Sequence, residues 1–336
     1  MSESADLVEA VIDGREIPGL RIFTPIEPFE SREERPITVD QTNRSVVVGE
    51  RVIVKWMRTP KADRSPRLLA HLAEAGFTRM PTPHAALFRG GDLVALVTQF
   101  LPEALDGWDW GVDTLLDALD GGLSADFGAE LGTLAAELHI ALATPTSVIE
   151  TPVMNLPGAD DWKTAVGEAV AAADDDWVRS IAPRLAADLD APARHKVGPA
   201  LLLHGDLHVG QVLKWRDGYA ITDFDGHPTA ADRPEPVARD VAQLRTSVLH
   251  VAEIANRRTD GHRRDELLRW GRETVNDLLR VYRFKLKQHD LGYLLDPALL
   301  RPFEVEQECR ELVYAARFLP RWQYAPMGVL RSWYAG

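Results

Sequence analysis

Apolar residues in the first hundred positions fall mostly in short runs, a pattern typical of β-strands. The predicted strands are Val8–Ile12, Gly19–Thr24, two runs within 45–56 and Leu93–Phe100. In SVVVGERVIVKW (45–56), two β-branched runs flank Gly49-Glu50, which predicts a hairpin. Ser65–Ala75 has helical spacing with Pro66 in its first turn, so we expect one helix within this β-rich part.

Apolar positions after residue 101 recur mainly at helical spacing. The predicted helices are Val112–Leu119, Phe127–Ala143, 236–256, 262–288 and 303–318. The alanine-rich segment Trp162–Asp190 is predicted to be helical and broken at Pro183. Short strands are expected at Ala200–Leu203 and Tyr219–Thr222.

The change from strands to helices near Leu101 predicts an α+β protein with two lobes. The predicted parts are a β-rich cap or arm (1–39), a β-rich lobe (40–101) and a helical lobe (102–336). Ligand sites are common at such junctions, so the cleft between the lobes is the expected place for a site.

Composition narrows the classes of partner and compartment. The 336 residues include 38 basic and 51 acidic side chains, a formal charge of −13, which argues against non-specific nucleic-acid binding and weakly favours a cationic small molecule. Cys309 is the only cysteine, so no internal disulfide can form. No apolar run is long enough to cross a membrane, and the N-terminus lacks the pattern of a signal peptide. We therefore expect a cytoplasmic monomer without a membrane partner.

Two polar strings follow predicted strands and carry the candidate chemistry. The first is HGDLHVGQ (204–211) and the second is DFDG (223–226). A hairpin between them, turning at Gly218, would bring Asp206, Gln211 and Asp223 together. Phosphoryl transfer uses such a set, because one carboxylate can accept a hydroxyl proton while carboxylate and amide oxygens hold Mg²⁺.

The strings resemble the catalytic loop and metal segment of the aminoglycoside phosphotransferase and maltokinase branch of the protein-kinase-like fold. Further segments of the chain resemble the same family and extend the likeness to about residues 40–326; these are DQTNRSVVVGERVIVKW, VTQFLPEALDGWDW, AAELHIALA and EQECRELVYAARFLPRWQYAP. The last segment is similar to maltokinases and to actinobacterial glucosamine kinases. The resemblance implies a bilobal fold, with a β-rich N-lobe that contains one helix, a larger helical C-lobe and an active site in the cleft between them.

The resemblance also implies roles for particular residues. Asp206 would be the catalytic base, and Gln211 and Asp223 would hold Mg²⁺. ATP would be bound by Lys55 through its phosphates, by a phosphate loop containing Asn43, Arg44 and Ser45 together with Thr42, and by the main chain of Gln99 and Leu101 at the adenine.

The acidic partner of Lys55 is left open by the sequence. The family normally supplies a helix glutamate, but the expected position holds Arg67. Glu74, within the predicted helix, and Asp63, just before it, are the nearby acidic residues.

The acceptor site is predicted from the C-terminal helix. Glu304, Glu308 and Glu311 share one helix face, which is either solvated, paired with Arg310, Arg317 or Arg321, or aimed at the ammonium of an amino sugar. Substrate contacts are predicted for Asp206, Asp225, Glu308, Glu311 and Trp322, with Trp322 stacking on a sugar ring. Asp225 is equally suited to Mg²⁺ or to capping a turn.

These observations favour an ATP- and Mg²⁺-dependent kinase that phosphorylates glucosamine, giving glucosamine 6-phosphate. Maltose and an aminoglycoside are the alternative acceptors. A zinc hydrolase using His204, Asp206 and His208, with His227 nearby, has less support because Lys55 then has no role. A pseudokinase that binds without turnover is also less favoured, because Asp206, Gln211, Asp223 and Lys55 are all present.

Overall fold

The computed structural model describes residues 3–37, 43–158, 160–226 and 233–335. The chain forms two compact units. We call residues 1–105, 144–150 and 213–232 the sheet unit, and residues 106–143, 151–212 and 233–336 the helical unit.

The sheet unit is built on one antiparallel sheet of six strands in the order β1-β5-β6-β4-β3-β2. The strands are β1 (Leu20–Ile22), β2 (Glu34–Ile37), β3 (Arg44–Val48), β4 (Val52–Lys61), β5 (Pro83–Arg89) and β6 (Asp92–Gln99). Helices α1 (Glu3–Ile12) and α2 (Ser65–Glu74) complete the unit's regular structure apart from the hairpin described below.

The predicted hairpin around Gly49-Glu50 is confirmed as β3–β4. Both turn residues have positive φ, 59° and 53°, as a tight turn matched to the strand twist requires. The predicted strand Leu93–Phe100 and the predicted helix Ser65–Ala75 are likewise confirmed as β6 and α2.

The strand predicted at Val8–Ile12 is wrong, because this segment is the second half of α1. Leu7, Val8 and Val11 occupy one helix face and are buried against the sheet's valines. The short apolar run Val8–Ile12 was interpreted as a strand, although the helical spacing of apolar residues begins earlier in the chain. Strands β1 and β2 belong to the six-stranded sheet, so residues 3–37 do not form the separate β-rich cap that the sequence predicted.

The helical unit contains eight α-helices in its described residues. They are α3 (Gly107–Leu119), α4 (Gly128–Ala143), α5 (Ala165–Ala173), α6 (Asp176–Leu189), α7 (Ala238–Arg258), α8 (Arg264–Gln288), α9 (Leu300–Phe318) and α10 (Tyr324–Tyr334). Helix α4 packs on α8, and α7 contacts α8, α9 and α10. The five predicted helices are confirmed, whereas α10 was not predicted from the sequence.

The break predicted at Pro183 is also wrong. Asp174 ends α5 with a left-handed φ of 45°, and Asp175 accepts hydrogen bonds from the amides of Trp177 and Val178 to cap α6. Helix α6 continues through Pro183 because it buries its apolar face on both sides of that residue.

Four short strands form two small ladders. Strand β7 (Met154–Leu156) pairs with β8 (Gly198–Ala200), and β9 (Val212–Trp215) pairs with β10 (Gly218–Ile221) in the predicted hairpin. The strand predicted at Ala200–Leu203 is displaced, because only its first residue lies in β8. Among the described residues, no helix is both long enough and apolar enough to cross a membrane.

Candidate active site

The loop 204–211 of the helical unit is held in place by one buried carboxylate on α7. The backbone amides of His204 and Gly205 donate to the two oxygens of Asp240 at 3.0 and 2.9 Å. His139 Nε2 lies 3.2 Å from the same group. Burial alone would raise the pKa of Asp240, but His139, His204 and the Gly205 amide lower it. Asp240 is thus an ionised anchor that fixes the loop.

Asp206 lies on this anchored loop with a partly exposed carboxylate. Its side chain is 21% exposed, and Gln243 Nε2 donates to Oδ1 at 3.4 Å. His204 is fully buried and accepts from the Asp206 amide through Nδ1, which agrees with a structural role. Gln211 ends a 3₁₀ turn, Val209–Gln211, that follows directly. A fixed, accessible carboxylate is what a general base requires.

The DGWD segment begins α3 directly against this loop. Asp106 caps the helix by accepting from the amides of Trp108 and Asp109 at 2.8 and 3.1 Å. A Cβ at Gly107 would lie 1.6 Å from the carbonyl oxygen of Val209, so only glycine permits this approach. The motif therefore has a structural role, because it lets α3 pack directly against the loop.

An aromatic cluster lies beside the loop. Trp108 stacks on His208 with ring centroids 5.6 Å apart. The ring of Trp108 also meets that of Trp322 edge-on, with centroids 5.4 Å apart. The rings of His250 and Tyr324 each contact the ring of Trp322, with centroids 5.4 and 6.0 Å apart. Trp108 and Trp322 are both partly exposed. We call these five rings the aromatic cluster; they provide partly accessible indole faces in the unit that carries Asp206.

The acidic face of α9 is not solvated, so that alternative is wrong. Glu304 is 8% exposed and pairs with Arg245 at 2.7 Å. Glu308 is completely buried and accepts from His250 at 3.0 Å. Both partners come from α7 rather than from Arg310, Arg317 or Arg321, because α9 packs its acidic face on α7.

Glu311 is the member of this face that remains partly exposed. It accepts hydrogen bonds from Gln307 Nε2 at 2.9 Å and from Trp322 Nε1 at 2.8 Å. Both donors are neutral, so neither of them pairs a positive charge with this carboxylate beside the aromatic cluster.

A chain of hydrogen bonds connects Glu311 to Asp206. Gln243 Nε2 donates to Asp206 and, at 3.2 Å, to Gln307 Oε1, and Gln307 donates onward to Glu311. Gln243, Gln307 and His250 were not predicted from the sequence. Polar residues at 240, 243, 247 and 250 on an otherwise apolar face of α7 were the signal that could have found two of them.

Lys55 of the sheet unit pairs with the DFDG string. Its Nζ lies 3.1 Å from Asp223 Oδ1 and 3.0 Å from Asp225 Oδ2. Burial alone would lower the pKa of Lys55, but the two carboxylates raise it well above its usual value. The pKa of Asp225 is also raised, because burial and the charge of Asp223 outweigh the effect of Lys55.

None of the positions considered in the helix segment pairs with Lys55. Arg67 is exposed, Glu74 accepts from Ser147, and Asp63 accepts from the amide and hydroxyl of Ser65. In the described part of the chain, the carboxylates that pair with Lys55 are those of Asp223 and Asp225.

The carboxylates around Lys55 fit a divalent cation in donor type. Two aspartates reach one ammonium, and carboxylate oxygens are the ligands that Mg²⁺ prefers. Asp223 has a left-handed φ of 62°, and its side chain is 45% exposed. No group of three or more His, Cys, Asp or Glu side chains converges as a ligand set within the described ranges, which gives the zinc alternative no support there; His227 lies outside them.

The predicted nucleotide residues are placed in two parts of the sheet unit. Arg44 and Ser45 are the first residues of β3, not loop residues as predicted, because they continue its pairing with β4. Asn43 precedes them and accepts from the Arg58 amide, while Thr42 lies outside the described residues.

At the predicted adenine position, Gln99 Oε1 accepts from the amide and hydroxyl of Thr82. Leu101 is buried, and its amide has no hydrogen-bond partner among the residues that the structure describes. The Leu101 amide is therefore a donor that an adenine could use.

We expect the stability of the helical unit to fall as pH rises through neutrality. Burial raises the pKa of Glu308 to about 7, from 4.5, despite its pairing with His250. Burial alone would lower the pKa of His250, but Glu308, Glu311 and Glu253 raise it. Both groups hold protons more tightly in the folded state. The stability that Glu308 contributes is fully present below about pH 4.5 and is lost as pH rises through about 7, and the contribution of His250 changes in the same direction.

Urea unfolding between pH 6 and pH 8 measures this loss, expected to be about 1–2 kcal/mol. Glu308→Gln keeps the side chain's shape and should flatten the dependence. Glu273→Gln, at an exposed position on α8, should keep it. An equally steep dependence in Glu308→Gln would contradict the assignment to this pair.

Comparison with known proteins agrees with this geometry. Residues 33–226 match the model of the phosphotransferase enzyme family. The chain is 38% identical to a glucosamine kinase from Streptacidiphilus jiangxiensis, covering 91% of this chain and 74% of that protein, and 35% identical to one from Mycolicibacterium smegmatis, covering 89% and 79%. A solved glucosamine kinase in complex with glucosamine, ADP and inorganic phosphate superposes with a TM-score of 0.85 at 34% identity, covering 98% of this chain and 82% of that one.

The fold is therefore kinase-like, with an N-terminal antiparallel sheet and a helical C-terminal region, as the sequence predicted. The family match covers more than half of the chain, and both relatives are similar over most of their own length. The chain therefore belongs to the phosphotransferase enzyme family, and the relatives compared above are glucosamine kinases.

Proposed function

We propose that the protein transfers the γ-phosphoryl group of ATP to glucosamine, giving glucosamine 6-phosphate. The observation that carries this proposal is the carboxylate of Glu311, held beside Trp322 and connected through Gln307 and Gln243 to Asp206. A negative group and an aromatic face near a candidate base suit an acceptor that is both cationic and a sugar. The glucosamine kinases among the relatives support the same acceptor.

Asp206 orients the acceptor hydroxyl and takes its proton as the bond to phosphorus forms. The bond between the γ-phosphorus and the β–γ bridging oxygen breaks in line with this attack, and ADP leaves. Gln243 holds one carboxylate oxygen of Asp206 and leaves the other for the hydroxyl. Asp240 keeps the loop rigid, so the base does not have to be positioned during the reaction.

Glu311 binds the acceptor's ammonium, and Trp322 packs against its ring. Glu308 is fully buried, so it contributes by holding His250 in the aromatic cluster rather than by touching the sugar. This revises the direct contact expected for Glu308, since a buried carboxylate cannot reach a ligand without rearrangement.

Lys55 binds the α- and β-phosphates of ATP, exchanging its contacts with Asp223 and Asp225 for phosphate oxygens. Asp223 and Gln211 are the residues that would hold Mg²⁺, with Asp225 close to Lys55 as a second carboxylate. When bound, the cation neutralises negative charge on the phosphate oxygens. Asn43, Arg44, Ser45 and the main chain of Gln99 and Leu101 remain the proposed nucleotide contacts.

ATP turnover with Mg²⁺ across glucosamine, glucose, maltose and an aminoglycoside tests the proposal. We expect turnover with glucosamine to exceed turnover with each of the other acceptors. Activity with maltose or the aminoglycoside alone would replace glucosamine by that acceptor, and ATP binding without any turnover would support the pseudokinase alternative.

A further inference from the structure

The helical unit contains a cavity of about 970 Å³ beyond the aromatic cluster along α7. Gln243, His250 and Arg257 are spaced by seven residues and so share one face of α7. Arg257 lines the cavity, about 10 Å further along the helix axis than His250. The volume lies within the range of small-molecule sites.

The cavity carries an excess of positive charge although the whole protein is acidic. Arg257, Arg264 and Arg331 line it, against one lining carboxylate, Glu253. Arg264 lies 3.6 Å from Glu253, whereas neither Arg257 nor Arg331 has a carboxylate within ion-pair distance among the described residues. Two arginine charges are therefore left for an anion.

These two arginines are positioned by aromatic rings. The guanidinium of Arg257 lies 4.3 Å from the ring centre of Tyr324, and that of Arg331 lies 5.5 Å from the ring centre of Trp177. Arg257 Nη1 also donates to the carbonyl oxygen of Arg321 at 3.3 Å. A guanidinium has five N–H groups, so one held over a ring keeps further donors for an anion, an arrangement suited to phosphate. The walls thus supply oriented donors to an anionic group.

Acceptors for hydroxyl groups lie in the same cavity. Glu253 is buried against α10, where a Cβ on Gly328 would lie 2.3 Å from its carboxyl carbon. The side-chain carbonyl oxygen of Asn256, which also lines the cavity, has no hydrogen-bond partner among the described residues. Groups that accept hydrogen bonds from hydroxyls, combined with guanidinium groups that donate to phosphate oxygens, can together recognise a hydroxylated phosphate ester.

We propose that this cavity is a second site, separate from the acceptor site, that binds a phosphorylated sugar. The inference rests on the proposed function in one respect, because a phosphorylated sugar is then the product of the same enzyme. Tyr324 connects the two places, since its ring lines the cavity and contacts Trp322 at 6.0 Å. An occupant beside Tyr324 can thus alter the position of Trp322, which would couple product level to acceptor binding.

Equilibrium dialysis of glucosamine 6-phosphate, in metal-free buffer with saturating glucosamine and ADP, tests the proposal on the whole protein. We expect one molecule to bind per chain. Arg331→Gln and Arg257→Gln should each weaken this binding at least about tenfold, since each removes a charge-assisted contact. Arg269→Gln, at an exposed position of α8 outside the cavity, should leave it unchanged.

Three results would overturn the second site: no binding to the saturated enzyme, equal binding by both cavity variants and the wild type, or equal affinity for inorganic phosphate alone. Thermal unfolding of each variant checks that it is folded. Turnover of glucosamine by an enzyme that binds no glucosamine 6-phosphate would remove this site and leave the proposed function standing. If the wild type bound glucosamine 6-phosphate, Arg331→Gln lost that binding, and the wild type did not turn over glucosamine, the second site would stand and the proposed function would fail.

Discussion

Replacing Asp206 by asparagine is expected to lower kcat at least about 100-fold, the lower range for loss of a general base. Asparagine has nearly the same shape and can still accept the hydrogen bond from Gln243, so the change removes the basic oxygen and little else. The KM for ATP should stay close to the wild-type value, because Asp206 has no proposed role in nucleotide binding. Steady-state kinetics with ATP and glucosamine varied separately measures both quantities.

Asp265→Asn provides a matched control, because it makes the same change at an exposed position in the first turn of α8. It should leave kcat unaltered. If Asp206→Asn turned over glucosamine at a rate near that of the wild type, another group would have to accept the proton and the assignment of Asp206 would be lost.

Replacing Glu311 by glutamine is expected to reduce kcat/KM for glucosamine about 100-fold while changing kcat/KM for glucose little. An ion pair in a partly buried site contributes about 2–3 kcal/mol when one partner is removed, which corresponds to this factor. Glutamine has one acceptor oxygen, so it can keep only one of the two hydrogen bonds from Gln307 and Trp322. The uncharged sugar glucose measures the effect of the lost hydrogen bond, and the additional loss with glucosamine reports on charge. The ratio of the two kcat/KM values is the quantity to measure.

Glu273→Gln on the exposed face of α8 serves as the control for the loss of one negative charge from the protein. An equal reduction for glucosamine and glucose in Glu311→Gln would show that Glu311 supports the site without recognising the ammonium. The charge of the acceptor would then be recognised elsewhere.

Features determined by local sequence were predictable. The β3–β4 hairpin follows from two β-branched runs around Gly49-Glu50, and both turn residues adopt the left-handed conformation that such a turn needs. The loop 204–211 could be identified because its polar residues stand together directly after an apolar stretch. The helices α7, α8 and α9 were predicted because each has a long apolar period.

Features that depend on a distant partner were not predictable. The charge of Glu308 suggested an exposed substrate contact, but the packing of α9 on α7 buries it against His250. The family's usual pattern led us to seek the partner of Lys55 in the helix segment, whereas the chain fold brings Asp223 and Asp225 to it. No local pattern in one sequence specifies such contacts.

Helix α7 carries the residues that support the loop, the candidate base and the buried Glu308. One face of this helix carries Asp240 under the loop, Gln243 at the candidate base and His250 at the buried Glu308. A rigid helix positions these groups more precisely than separate loops would. The proposed acceptor site and the candidate base are therefore supported by one element within the helical unit.

We propose that a sugar's ammonium is recognised beside the base that deprotonates its hydroxyl. This proposal is tested most directly by measuring kcat/KM for glucosamine and for N-acetylglucosamine with the same enzyme, because acetylation keeps the ring and removes the positive charge. We expect at least about a 100-fold preference for glucosamine, the value of the lost ion pair. Comparable kcat/KM values for the two sugars would contradict it.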